Sequence, residues 1–339
     1  MSEKLPDKEV IVVTGASAGI GRATVRAFAR PGACIGLLAR GRAGLEAAAK
    51  EVEQAGGKAL VLPTDMSDPK QVQDAADAVE REFGPIDIWV NDAMVTVFAP
   101  VKDMTPEDYK RVTEVNYLGF VYGTLCALKS MLPRDKGVIV QVGSALAYRG
   151  IPLQSAYCAS KHAIQGFQDS LRSELLHYKS NVKISMVQMP ALNTPQFRWS
   201  RSKMPRKAQP VPPIFEPEVA ARAIVYAARH PKREFYVGWP AVKAIVGNKI
   251  APGYADHYLA ESGFNSQMID EPEDPNRPDN LYEPLDAKED RGAHGVFDSR
   301  AKGSSLEWWV DTHRTQVAAL AGVAVTGLVA MMMSGFARK

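Results

Sequence analysis

Tyr157 and Lys161 stand four residues apart in Tyr157-Cys158-Ala159-Ser160-Lys161. On a helix that spacing places both side chains on one face. An ammonium beside a phenol lowers the phenol's pKa from about 10 toward neutral, which yields a proton donor and acceptor. Ser144 adds a hydroxyl upstream, in Val-Gly-Ser-Ala after the apolar run 137–140. Near the N-terminus, the apolar run 10–13 leads into Thr14-Gly15-Ala16-Ser17-Ala18-Gly19-Ile20-Gly21. Together these stretches read as a nucleotide site followed by an acid/base site.

Each glycine of the first stretch has a physical task. Gly15 permits a tight turn, Gly19 lets backbone approach a pyrophosphate, and Gly21 lets a helix pack closely, its N-terminus favouring phosphate charge. The spacing is G-x-x-x-G-x-G rather than G-x-G-x-x-G, and its weight comes from lying after a first strand and before a helix. Ser17 and Ile20 fall inside the same turn. The second strand ends in Leu38-Ala39-Arg40 with no acid at its tip. An acid there holds a ribose hydroxyl, whereas an arginine accommodates a 2′-phosphate, so NADP(H) is expected over NAD(H). The alternative is a solvated surface arginine.

Elements that position these residues alternate along the chain. Strands are expected over 9–13, 34–39, 59–63, 86–91, 137–142 and 183–188, and a seventh over 234–237. Helices are expected over 21–29, 44–55, 69–83, 155–177 and from 216 to about 228. This alternation predicts an α/β fold, a doubly wound parallel sheet of about seven strands with helices on both faces. The 339 residues and 46% hydrophobic content suit one large domain with appendages. A net charge of +3 and the absence of basic–aromatic patterning exclude a nucleic-acid module. Cys34, Cys126 and Cys158 are widely spaced, giving neither a disulfide framework nor metal-ligand spacing. A reduced compartment is the simple reading, and residues 1–9 lack the apolar run of a cleaved signal. Cys158 has no neighbouring histidine base and reads as a small core residue.

The chain resembles the short-chain dehydrogenase/reductases of the compact subgroup. The matching motifs are Thr14-Gly15-x-x-x-Gly19-Ile20-Gly21, Asp65, Asn91-x-Ala93, Asn116, Ser144, Tyr157-x-x-x-Lys161, and Pro190 with Thr194, over about 8–240. The resemblance implies a Rossmann-type fold and assigns roles. Tyr157 is the general acid/base. Lys161 holds the nicotinamide ribose and lowers the Tyr157 pKa. Ser144 bonds the substrate oxygen, and Asn116 holds a relay water. Asp65 and Met66 flank the adenine, Asn91 and Ala93 line the adenosine side, and Pro190 and Thr194 lie at the nicotinamide. The chain departs from the family's Asn-Asn-Ala-Gly at Asp92 and Met94, and from Pro-Gly at Ala191. The implied activity is NADP(H)-dependent interconversion of a carbonyl and an alcohol; a nucleotide-binding scaffold without turnover and a sugar-nucleotide epimerase are the alternatives. The resemblance also implies a homo-oligomer.

Composition divides the chain into a catalytic domain over 1–262, an acidic, Pro-rich linker or surface-draped tail over 263–303, and a C-terminal hydrophobic helix over 304–339. Residues 315–337 carry no charge. As a helix that run is about 34 Å long, enough for a bilayer core of about 30 Å. Trp308 and Trp309, with basic residues at both ends, suit an interface anchor, the catalytic domain remaining cytoplasmic; a buried helix or an oligomer contact is the other reading. The segment 194–213 reads as a lid. Its Arg198, Arg201, Lys203, Arg206 and Lys207 suit an anionic membrane surface, an acidic substrate group or plain solvent. Lid and anchor together point to a lipophilic substrate.

Overall fold

The structure is a computed structural model and describes residues 6–313. Seven strands form its central sheet: β1 Glu9–Thr14, β2 Ala33–Ala39, β3 Lys58–Pro63, β4 Ile88–Asn91, β5 Val138–Ser144, β6 Lys183–Met189 and β7 Glu234–Tyr236. Every pairing is parallel, in the order β7-β6-β5-β4-β1-β2-β3. The order reverses between β1 and β4, and in open α/β sheets ligands bind outside the carboxyl ends of strands at such a switch.

Apolar residues on both sides of each strand require cover on both faces. Ile11 and Val13 of β1 join a core with helices α1 (Gly19–Phe28) and α2 (Arg42–Gln54). Val10 and Val12 face α3 (Pro69–Phe83), α4 (Gly119–Met131) and α5 (Ser155–His177). A sixth helix, α6 (Pro217–Arg229), lies on the α1 side. Asp68 caps α3 by accepting from the Lys70 and Gln71 amides, with proline at the first helical position. The helices α3 and α5 begin and end where the sequence pattern puts them. Helix α1 starts two residues earlier than expected, because the glycine turn runs straight into it.

Residues 264–302 run back across the body. Met268–Pro272 pairs antiparallel with Arg206–Ala208, and Ala301–Lys302 pairs parallel with Ile214–Phe215. Leu281 is fully buried against Val95, Val97, Val112 and Val115. Two further helices, α7 (Trp239–Ile250) and α8 (Pro252–Ser262), precede this strap.

The run 315–337 lies outside the described residues. Among the described residues no helix is long and apolar enough to cross a membrane. Trp308 departs from the expected interface role. It is buried edge-on to Tyr226 and Phe235, with centroids 5.4 and 5.8 Å away, and belongs to the core.

Candidate active site

A cleft of about 1130 Å³ opens at the carboxyl ends of the strands, around the switch point. Its floor is the glycine turn. Gly15 and Gly19 hold φ of +73° and +58°, a region that disfavours side chains. A Cβ on Gly15 would come within 3.0 Å of the Ala93 Cα, and one on Gly21 would overlap the Gly15 carbonyl. Thr14 Oγ1 accepts from the amides of Asp92 (2.9 Å) and Ala93 (3.1 Å), fastening the end of β1 to that of β4. Ser17, Ile20, Asp65, Met66, Ala93, Pro190 and Thr194 line the cleft where the sequence places them. This cradle and a cleft of that volume fit a dinucleotide.

Tyr157, Ser144 and Lys161 converge on the same cleft. Ser144 ends β5, Tyr157 and Lys161 sit on the first turns of α5, and Ser144 hydrogen-bonds Tyr157. One expectation is corrected here. Burial raises the Tyr157 phenol well above its ordinary value, and the bond with Ser144 only partly opposes this. Lys161 does not bring it down. Its Nζ donates to the Val142 carbonyl at 2.7 Å and stands 5.6 Å from the Tyr157 ring centroid. Burial lowers Lys161 itself, opposed by the charge of Asp92. Burial in turn raises Asp92, opposed by Lys161 and by the Gly21 amide. Cys158 is pushed up to about 11 by burial, which makes it an inert thiol.

Two expected site residues lie elsewhere. Asn91 is not on the cleft wall. Its amide is enclosed between the sheet and α4, accepting from Trp89 Nε1 (2.8 Å) and donating to Thr124 Oγ1 (3.1 Å) and Gln141 Oε1 (3.0 Å). Strand alternation turns this position toward α4. Asn116 sits in a π-helical stretch, Thr113–Leu118, behind the cleft. Its side chain is committed to both backbone groups of Val95 (2.9 and 3.0 Å) and to Ser160 Oγ (3.2 Å). Arg40 does stand at the tip of β2, but it donates to the carbonyls of Asn280, Leu281 and Tyr282 in the strap. Asp65 receives Arg111 at 2.7 Å and Ser67; burial would raise this carboxyl, yet those bonds hold it below the usual range.

The basic lid residues are also placed. Arg201 pairs with Asp108 and Asp279, Lys203 with Asp108, Arg206 with Asp270 and Lys207 with Glu271. Three of these acids lie in the strap. The basic lid and the acidic segment are therefore partners of one another, a pairing that neither stretch reveals alone. The far rim was missed: Trp239, Tyr254 and Tyr258 line the cleft while remaining 54%, 74% and 56% exposed.

Residues 9–205 match the family model described as short chain dehydrogenase. The uncharacterised oxidoreductase YxnA of Bacillus subtilis (strain 168) is 32% identical over 97% of this chain and 90% of its own length. A fatty acyl-CoA reductase of Acinetobacter baylyi (strain ATCC 33305 / BD413 / ADP1) is 32% identical over 66% of this chain and 75% of its own. Among solved structures, an alcohol dehydrogenase from Thermococcus sibiricus complexed with 5-hydroxy-NADP superposes with a TM-score of 0.59. It is 26% identical, covering 68% of this chain and 95% of its own.

Proposed function

From the premise that the chain belongs to the short chain dehydrogenase family, we propose that it interconverts a lipophilic carbonyl and its alcohol with a nicotinamide dinucleotide. The observation that carries this is Tyr157, Ser144 and Lys161 meeting on the cleft whose floor is the glycine turn. The dinucleotide supplies or takes the hydride when bound. Tyr157, kept protonated by burial, donates its proton to the carbonyl oxygen as charge develops there. Ser144 orients the Tyr157 hydroxyl and the substrate oxygen. Lys161, anchored to Val142, presents a cation to the dinucleotide. In the reverse direction the same residue, as the phenolate left after proton donation, collects the proton of the alcohol.

The lipophilic substrate is supported by the apolar rim of Phe197, Trp199, Trp239, Tyr254 and Tyr258, and by the fatty acyl-CoA reductase among the relatives. The expectation of NADP(H) rests on Arg40 and gains support from the NADP derivative in the Thermococcus enzyme; the surroundings of Arg40 in this chain point the other way. The homo-oligomer also stands as a proposal. Leu125 and Leu176, on α4 and α5, are 55% and 67% exposed, and sedimentation velocity on the full chain tests it.

The decisive experiment follows dinucleotide oxidation over carbonyls graded in chain length, with Tyr157→Phe alongside. Turnover should fall by about 10²–10⁴-fold in the variant, with dinucleotide Kd unchanged. Dinucleotide binding with no turnover on any carbonyl by the wild type would favour the scaffold reading.

A further inference from the structure

The tip of β2 is where this kind of site reads the adenosine ribose. In this chain that tip is not finished by its own neighbours. It is finished by the strap, more than 240 residues downstream. Asp286 is 5% exposed and lines the cleft. Its carboxylate lies so close to Gly41 that a Cβ there would overlap it. A Cβ on Gly44 would fall 3.0 Å from its Oδ2 and 2.8 Å from Ser17 Cβ. Asp286 therefore sits between the β2 tip, the first turn of α2 and the glycine turn.

The groups that would welcome a phosphate at that position are already engaged. The Arg40 fork donates to the carbonyls of Asn280 (2.5 Å), Leu281 (3.3 Å) and Tyr282 (2.7 Å). In the first turn of α2, the amides of Ala43 and Gly44 donate to the carbonyls of Ala287 and Asp286, each at 3.4 Å. A helix N-terminus with its amides in use offers little to an anion. The strap is itself fastened there: Arg22, 1% exposed, joins Glu51 of α2 (2.7 Å) to Asp290 (3.3 Å).

We infer that Asp286 is the specificity-determining acid of the adenosine ribose site and that it makes this enzyme prefer NAD(H) over NADP(H), reversing what Arg40 alone predicts. The inference rests on the dinucleotide reading given above. A carboxylate accepts from ribose hydroxyls and repels a 2′-phosphate. A like charge held at a buried position discriminates strongly, because neither group can be rehydrated.

The test is calorimetric titration of the full chain with NAD+ and with NADP+, for wild type, Asp286→Asn, Asp286→Ala and Arg40→Ala, each variant checked by thermal melting. Wild type should bind NAD+ more tightly. Asp286→Asn, which keeps the shape and removes the charge, should narrow or invert the ratio by about 10–100-fold, the range of one charged hydrogen bond. Asp286→Ala should do the same if the isosteric variant fails to fold. Arg40→Ala should leave the ratio near that of wild type. A wild-type preference for NADP+, or a ratio indifferent to Asp286, overturns the inference while leaving the dinucleotide reading intact. No binding of either dinucleotide overturns both.

Discussion

Asp92 puts an ionisable carboxyl beside the glycine turn and within electrostatic reach of Lys161. Its charge favours the Lys161 ammonium against burial. Asp92→Asn removes that support, so Lys161 should lose its proton at lower pH, and the alkaline limb of the kcat/KM profile should move toward neutral. A limb that stays in place would show that the two groups do not communicate. At this scale the chemistry was legible where spacing alone fixes geometry. Tyr157 and Lys161 share a helical face, and Ser144 ends the strand beside them. It was illegible where a polar side chain had several places to point. Asn91 meets a need for buried partners around Trp89 and Gln141, and its amide says nothing of which face of the sheet it serves. A sequence shows the lysine near Tyr157 but not how far the phenol is desolvated at the cleft wall, and desolvation raises it.

Glu51 shows how elements are tied around the turn. It receives Arg22 and Arg26 of α1, each at 2.7 Å. Burial works to raise its carboxyl, but those bonds outweigh it and pull it down to about 2. Since the folded value lies below the unfolded one, the bridge stabilises fully above the ordinary carboxyl range and is lost as pH falls toward about 2. Glu51→Gln should therefore lower the melting temperature at pH 7 by a few degrees and have little effect near pH 2, measured by circular dichroism melts across that range. An equal loss at both pH values would mean that the side chain acts through packing alone. The sheet and its major helices were readable because the buried parallel strands stand out as short continuous apolar runs, and the helices carry apolar residues on one face. The short pairs, Val97–Phe98 with Arg201–Ser202 and Ile214–Phe215 with Ala301–Lys302, were not. Two residues carry no period, and such strands exist only because tertiary partners hold them.

At the scale of the whole molecule, the acidic, proline-rich stretch reads as a linker or a surface-draped tail, and it runs back over the body and lines one part of the cleft. Its deepest apolar anchor is Leu281, with Met268, Ala293 and Phe297 also buried, and ion pairs join it to the lid. Leu281→Ala should cost about 2–5 kcal/mol at that anchor. Hydrogen exchange should then accelerate over 264–302 while β1, β4 and β5 keep their protection. Uniform acceleration through the sheet would instead make the strap part of the folding core. Strap release should also weaken dinucleotide binding without touching Tyr157.

Chain order gives the strap one further consequence. The glycine turn and Tyr157 precede the strap in chain order, and the wall around Arg40 is made only when residues 280–290 emerge. A nascent chain therefore holds the sheet and acid/base residues before its adenosine end is enclosed. Ribosome-bound chains halted before and after Leu281 has emerged should differ sharply in dinucleotide retention, which would make synthesis of the strap the step that encloses the adenosine end.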